Sequence, residues 1–456
     1  MVSGATYPKG PLVPDSSSHG FDRWLALGSL ALLMAFNIAL ISLKVAAVPV
    51  RGVLTVGLLG LLSLLHPQAA RQAFAKHKLV LLLAAALAVL GIFVSLVNGT
   101  GLKEIFQAVV EVHLQIAITV LLATIVAQVA GVRASVLVVV GMIALNALLA
   151  SLQFAGVEAV WQWRESLGTL QGQAMHEFSP FLNGRPMGLA YSPIQLATHL
   201  CLAFGAYAVL RDREGKLTSG AATADSRIIA ALIVLVIVSF ICGTRSPILG
   251  AAMFLGIYAA WRRASWLLIL LLGSGAIVLV AGPQIFAAFQ DAQPRVMRVD
   301  DDSAVGRLSL IKYGLLLIRD NPLGYGFAFN PSDHWMKYWR ELYSLQSSDD
   351  VQSKELHNYV LNMVNTYGVG LLLVMPMAVT LIRRSSRYLI YFLPYIMHIL
   401  LHNAGPYWND NILWFVVGAL SASLAGESAQ PQQISSRGVR GTQRPGMLAR
   451  SGPATP

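Results

Sequence analysis

The sequence is dominated by apolar runs of about 20 residues, the length that an α-helix needs to cross the hydrocarbon core of a membrane. Only 12% of the 456 residues are charged, about half the fraction found in soluble proteins. Because lipid offers no partner to free backbone groups, these runs must be helical. The sequence therefore predicts an all-α polytopic membrane protein with about twelve transmembrane helices, near 24–43, 45–65, 79–97, 106–128, 134–155, 192–210, 227–243, 247–260, 264–282, 358–382, 387–403 and 411–426.

The two ends of the chain are polar. Residues 1–23 contain no short apolar core followed by a small-residue cleavage site, so we interpret them as a retained N-terminal segment and not as a signal peptide. Residues 427–456 lack periodic apolar positions and are predicted to be a disordered tail. The predicted membrane domain is therefore residues 24–426.

Basic residues mark alternate loops between the predicted spans. Arginine and lysine cluster after the second, fourth, sixth, eighth and tenth span, for example at Arg71, Arg133, Arg211, Arg262 and Arg383. Cytoplasmic loops carry this excess, so these loops and both termini are predicted to be cytoplasmic, in an inner-membrane protein. The net charge of +11 follows from this topology and does not indicate nucleic-acid binding.

Two long loops, about 156–191 and about 283–357, are then predicted to face the periplasm. The second contains "SAVGRLSLIKYGLLLIRD", which predicts an amphipathic helix, followed by the turn-rich "NPLGYGFAFNPSD". Loops of this length are usually functional or disordered.

Several arginines lie on this outer side, against the usual charge distribution. Arg185 and Arg245 occur in turns marked by glycine and proline, and Arg307 occurs in the predicted loop helix. Guanidinium groups bind phosphate through two parallel hydrogen bonds, so an outward cluster suggests a lipid-linked phosphate or pyrophosphate. The alternative is interfacial snorkelling or pairing with the acidic run 300–302.

Polar residues also interrupt the span that begins near residue 358. Asn358, Asn362 and Asn365 are spaced i, i+4 and i+7, so they share one helix face, and His357 precedes them. Amides cannot face lipid without losing hydrogen bonds, which predicts a polar cavity wall with His357 at its mouth as a candidate proton acceptor. The alternative is that His357 bonds to backbone and the asparagines join helices. Glu111 and His113 are further ionisable groups at membrane depth.

The sequence contains no zinc spacing, phosphate-binding glycine loop or serine nucleophile motif. The acidic run 300–302 lacks spaced histidine or carboxylate partners, which favours a solvated loop over a metal site. We therefore expect neither a metal nor a cofactor.

Four stretches, taken in order, resemble the O-antigen ligase and O-antigen polymerase superfamily of bacterial envelope glycosyltransferases. They are "GRPMGLAYSPIQLA" (184–197), "TRSP" (244–247), "VGRLSLIKYGLLLIRDNPLGYGF" (305–327) and "LHNYVLNMVNTYGVGLLL" (356–373). The turn at 244–247 departs from the family's Thr-x-Ser-Arg order, which makes a phosphate role less secure for Arg245 than for Arg185.

The resemblance implies a metal-independent, inverting glycosyl transfer on the periplasmic face. The donor would be a glycan on undecaprenyl pyrophosphate, and the acceptor a glycolipid or a second lipid-linked glycan. Arg185, Arg307 and Arg245 would hold the pyrophosphate, and His357 would be the catalytic base.

Three alternatives remain open from the sequence. An O-antigen polymerase and an exopolysaccharide polymerase differ from a ligase only in the acceptor, although the His-Asn arrangement favours the ligase. A lipid-linked sugar transporter or flippase would share the helix count, but the sequence lacks the matching halves typical of many transporters.

Overall fold

The computed structural model describes residues 19–45, 48–172, 185–218, 225–264, 266, 302–343, 356–402, 405–407 and 410–427. In these residues the chain is helical, as the sequence predicts, apart from one short antiparallel pair of strands, β1 (Lys44–Val45) and β2 (Val48–Pro49). The predicted span 264–282 and most of the predicted tail lie outside the described residues.

The α-helices of the first part of the chain are α1 (His19–Ala39), α2 (Val50–Leu65), α3 (Pro67–Val97), α4 (Leu102–Ala108), α5 (Gln115–Ala130), α6 (Val132–Phe154), α7 (Glu158–Leu170) and α8 (Pro193–Thr218). A π-helical segment, Val109–Leu114, joins α4 to α5. Those that follow are α9 (Ser226–Ile241), α10 (Ser246–Trp261), α11 (Asp302–Asp320), α12 (Trp339–Leu342), α13 (Tyr359–Tyr367), α14 (Leu371–Leu389), α15 (Leu393–Ile399) and α16 (Asn411–Glu427). Short 3₁₀ segments occur at Pro331–Asp333, Trp335–Tyr338, Gly368–Gly370 and Ile390–Phe392.

Six helical stretches of the described chain are long and apolar enough to cross a membrane: Gly20–Ala39, Pro67–Val97, Leu102–Ala130, Val132–Phe154, Pro193–Glu214 and Tyr359–Ile399. Four shorter apolar helices accompany them, at Val50–Leu65, Ser226–Ile241, Ser246–Trp261 and Asn411–Ala422. The chain is thus a multi-pass membrane protein by length and composition, and the count of twelve spans stays a prediction.

The last part of the chain differs from its predicted boundaries. The predicted span 358–382 is divided, because α13 ends at Gly368, whose φ of 62° and ψ of −158° suit glycine alone. The predicted loop near 383–386 lies inside α14. Arginine is a good helix former, so a fall in hydropathy marks a membrane boundary without ending the helix.

Helix α5 lies at the centre of the bundle. It packs against α16, α3, α2 and α1, and most of its side chains are buried. Helix α16 approaches it closely at Gly418, where an added Cβ would lie 2.6 Å from the Cβ of Ala123. The inner layer of the bundle is therefore apolar and tightly packed.

The predicted helix of the outer loop is present as α11, and it forms a small separate core. Leu310, Tyr313 and Leu317 of α11 are buried against Tyr338 and Leu356. Leu356 precedes His357, so this packing positions the chain at the entry to α13.

The turn at 321–327 attaches α11 and its small core to the bundle. Backbone N–H groups of Tyr325 and Gly326 donate to the carbonyls of Asn365 and Thr366 at 2.7 and 2.9 Å. The N–H of Val369 donates back to the turn at 2.8 Å, through the carbonyl of Pro322. The turn thereby satisfies backbone groups at the break after α13, where lipid could not.

This docking predicts a strong effect of Gly324→Ala. Gly324 has a φ of +88°, and an added Cβ would lie 2.5 Å from the backbone nitrogen of Gly368. We expect a loss of roughly 2–4 kcal/mol in stability, seen as a lower thermal midpoint in detergent. Gly141→Ala is the matched control, since nothing lies within 4 Å of its added Cβ. Equal midpoints for the two variants would contradict this account of the turn.

Candidate active site

Three of the polar residues singled out above, Arg185, Arg307 and His357, converge on one region of the described structure. His402 lies just beyond the end of α15, and the titratable groups that act on it are His398, Arg307, His357 and Arg185. These residues belong to separate segments of the chain, and they are brought together by α8, α11, α13 and α15.

His357 is half-buried in the short connection that leads into α13. Its ring lies edge-on to that of His402, with 6.4 Å between ring centroids and 70° between planes. The next residue, Asn358, fixes the backbone beside His357. Asn358 caps α13 by accepting from the N–H of Leu361 at 3.0 Å, and its Nδ2 donates to the carbonyl of Leu400 at 3.0 Å. One amide thus joins the start of α13 to the end of α15.

The other two asparagines have different surroundings. Asn365 is fully buried, and its Nδ2 donates to the carbonyls of Gly314 in α11 and Leu361 in α13. Asn362 is half-buried. The contacts of Asn358 and Asn365 join helices, which is the alternative considered above for the three asparagines on this helix face. A cavity-lining role for the three stays a prediction.

Arg185 supports the turn that contains Arg245. Its Nε donates to the carbonyl of Cys242 at 2.9 Å, and its Nη2 donates to the carbonyl of Gly243 at 3.0 Å. These carbonyls follow the end of α9, where backbone acceptors lack helical partners and favour a cation. Arg245 is half-buried and directly precedes α10. The two arginines are therefore neighbours through this turn.

The segment that carries Arg185 is itself held by polar side chains of α6 and α7. Oε1 of Gln153 in α6 accepts from two consecutive backbone N–H groups, at 2.9 and 2.8 Å. Asn146 accepts from a third at 2.6 Å, and Arg164 of α7, which is buried, donates to a carbonyl of the segment at 2.8 Å. The sequence analysis missed these three residues. Asn146 and Gln153 are seven positions apart in an otherwise apolar helix, a signal that could have found them.

A buried chain of hydrogen bonds runs behind His402. The Oγ1 of Thr198 in α8 lies 2.9 Å from Nε2 of His398, whose Nδ1 lies 2.8 Å from Oγ of Ser246. Ser246 also contacts Nε2 of His402 at 3.2 Å. His398 and His402 are one helical turn apart, and their ring centroids are separated by 4.4 Å. This chain joins α8, α10 and α15, and the sequence analysis did not identify Thr198, Ser246 or His398 as part of the site.

Burial is the main electrostatic influence on His402. It lowers the pKa of His402 well below the ordinary value, and the positive groups around the ring lower it further. Burial and these neighbours therefore favour the neutral form of the His402 imidazole. Half-buried guanidinium groups beside it keep their charge, since arginine does not deprotonate in proteins. The region thus combines fixed positive charge with neutral imidazole, a composition suited to an anionic ligand and to proton acceptance.

The pair in the fourth predicted span lies elsewhere. His113 is buried in the π-helical segment, with its Nε2 3.1 Å from the hydroxyl of Tyr367 and its ring against Phe327. Glu111 pairs with Lys44 at 3.3 Å. The two therefore face different surroundings, and His113 supports the docked turn. Within the described part of the chain, no group of three or more histidine, cysteine or acidic side chains could hold a metal ion.

Comparison with protein families gives one match: residues 230–375 fit the family model described as "O-Antigen ligase". Comparison with curated proteins gives none. The matched part runs from α9 into α14 and includes Arg245, Arg307 and His357, whereas Arg185 and His402 lie on either side of it. The resemblance seen in the sequence is thereby confirmed, and residues 230–375 identify a domain of the O-antigen ligase and polymerase superfamily.

Proposed function

We propose that this protein transfers a glycan from undecaprenyl pyrophosphate to a sugar hydroxyl of a glycolipid acceptor, on the periplasmic face of the inner membrane. The observation that carries the proposal is the grouping of His357 and Arg307, both within the O-antigen ligase domain, with Arg185 around His402. The family match supports polysaccharide chemistry on lipid-linked substrates. The donor, the acceptor and the side of the membrane are part of the proposal.

In the proposed reaction, His357 takes the proton of the acceptor hydroxyl as its oxygen attacks the anomeric carbon. The bond from that carbon to the pyrophosphate breaks, and its electron pair leaves with the pyrophosphate. Direct displacement of this kind inverts the anomeric centre. Because pyrophosphate is already a good leaving group, the step requires no covalent intermediate and no metal.

The arginines have two tasks in this scheme. Arg307 and Arg185 stabilise the charge that develops on the leaving pyrophosphate, and positive groups fixed in advance do so without reorganisation. Arg185 also holds the turn before α10 through the carbonyls of Cys242 and Gly243, which keeps Arg245 beside it. Two lipid-anchored substrates meeting at this point gain further from orientation.

An O-antigen or exopolysaccharide polymerase would use the same residues with a different acceptor. Glycolipid profiling of a knockout strain separates these functions. Loss of long chains from lipid A indicates a ligase, single-repeat capping indicates a polymerase, and loss of secreted polymer alone indicates an exopolysaccharide enzyme. A transporter or flippase predicts that transfer by the purified protein is absent.

Removal of the base tests the mechanism. His357→Ala should lower the rate of glycan transfer by roughly 10²–10⁴-fold, with little change in binding of the lipid donor, because base catalysis contributes about that factor. Transfer is measured with purified protein and a lipid-pyrophosphate donor. His66→Ala is the control, since this partly exposed histidine lies between α2 and α3, away from the cluster. Full activity of His357→Ala would refute the role of His357.

Arg185→Lys tests the pyrophosphate site and the turn together. Lysine keeps the positive charge but lacks the planar fork with which arginine meets both carbonyls, so we expect roughly 10–100-fold weaker turnover and a lower thermal midpoint. Arg133→Lys is the matched control. Arg133 lies at the start of α6, is largely exposed and pairs with Glu214. Unchanged donor affinity and turnover in Arg185→Lys would remove Arg185 from the proposed site.

A further inference from the structure

The buried chain behind His402 has a direction that can be read from its donors. The hydroxyl of Thr198 has one proton, and it is donated to the carbonyl of Ile194 at 3.0 Å. With that donation, the same oxygen accepts from His398, which assigns the proton of His398 to Nε2. Burial favours a neutral imidazole, which has a single N–H, and Nδ1 of His398 is left as an acceptor.

The same reasoning extends to His402. Because Nδ1 of His398 accepts, the hydroxyl of Ser246 donates to it at 2.8 Å. The proton of Ser246 is then used, so Ser246 accepts from Nε2 of His402 at 3.2 Å. His402 is neutral, and its Nδ1 is therefore an unprotonated acceptor. The chain assigns the tautomer of both histidines by hydrogen-bond accounting.

We propose that His402 is a positioning residue for glycan transfer: its Nδ1 accepts a hydrogen bond from the imidazole of His357, directly or through one water molecule. The proposal rests on the proposed role of His357 as base. In the proposed reaction, one ring nitrogen of His357 donates to His402 and the other accepts the proton of the acceptor hydroxyl. A third group that orients the base in this way is a general device of catalytic sites.

The geometry supports this arrangement. The rings of His357 and His402 lie edge-on at 6.4 Å, a separation that a modest side-chain shift or one water molecule would bridge. Asn358 fixes the backbone on both sides of the pair, through Leu361 and Leu400. A neutral His402 suits this place. Arg185 and Arg307 act on His402, and their positive charge would repel a protonated imidazole there.

A pair of substitutions separates positioning from a structural role. The terminal atoms of asparagine fall near the Nδ1 position of histidine, and those of glutamine near the Nε2 position. His402→Asn therefore keeps an acceptor towards His357, whereas His402→Gln keeps the donor to Ser246. We expect kcat for transfer to fall about 10–100-fold in His402→Gln and less in His402→Asn, with KM for the donor unchanged in both.

The pH profile gives an independent readout. An acceptor for the N–H of His357 stabilises its protonated form and so raises its pKa. Loss of that acceptor lowers the pKa of the base, and the acid limb of the kcat profile should move to lower pH in His402→Gln. The charged and titratable groups that act on His402, namely His398, Arg307, His357 and Arg185, are unchanged in this variant.

His77→Gln is a matched control. His77 is another buried histidine bonded to two hydroxyls, those of Thr124 and Ser421, at 2.8 and 2.9 Å, but it lies among α3, α5 and α16. It should change neither kcat nor the pH profile. Ser246→Ala provides a second test, in a double variant with His402→Gln. Without the hydroxyl of Ser246, the tautomer of His402 is no longer fixed. The loss of kcat in the double variant should therefore be no greater than the loss in His402→Gln alone.

Greater activity in His402→Gln than in His402→Asn, with an unmoved pH profile, would show that His402 only stabilises the fold and would overturn the proposal. Additive losses in the double variant would do the same. Either outcome leaves the proposed function standing if His357→Ala is inactive. If His357→Ala is active, the proposed function fails, independently of His402.

Discussion

In a bundle surrounded by lipid, every buried polar group must find its partner within the protein, and the rest of this structure depends on that constraint. It explains why the irregular segments of the site are fastened by specific side chains. The segment that carries Arg185 is held by Asn146, Gln153 and Arg164. The break after α13 is covered by the backbone of the turn at 321–327.

The same constraint pre-organises the candidate site. Arg185 is fixed by two carbonyls, and Asn358 joins the residues next to His357 to the end of α15. Through their hydroxyl groups, Ser246 and Thr198 fix the orientation of the two buried histidines to which they are hydrogen-bonded. Groups held in this way need little rearrangement when charge develops on a substrate, which is the main source of electrostatic stabilisation in enzymes.

Much of the fold could be predicted from the sequence, because hydrophobic length and helical period are local properties. The apolar runs and the amphipathic helix α11 follow from them. The break at Gly368 could not be predicted in this way, because it depends on contacts made elsewhere in the chain. Gly368 is required by its close approach to Leu323, more than forty positions earlier in the chain.

The sequence by itself determined that the chain is helical and membrane-spanning, and its motifs gave the family resemblance that the family model confirms for residues 230–375. Only the tertiary structure decided which polar residues work together. Thr198 and His398 are 200 positions apart, and Ser246 and His398 are 152 apart. No local pattern encodes such pairs, because a hydrogen bond inside a bundle depends on which helices pack side by side and at what height.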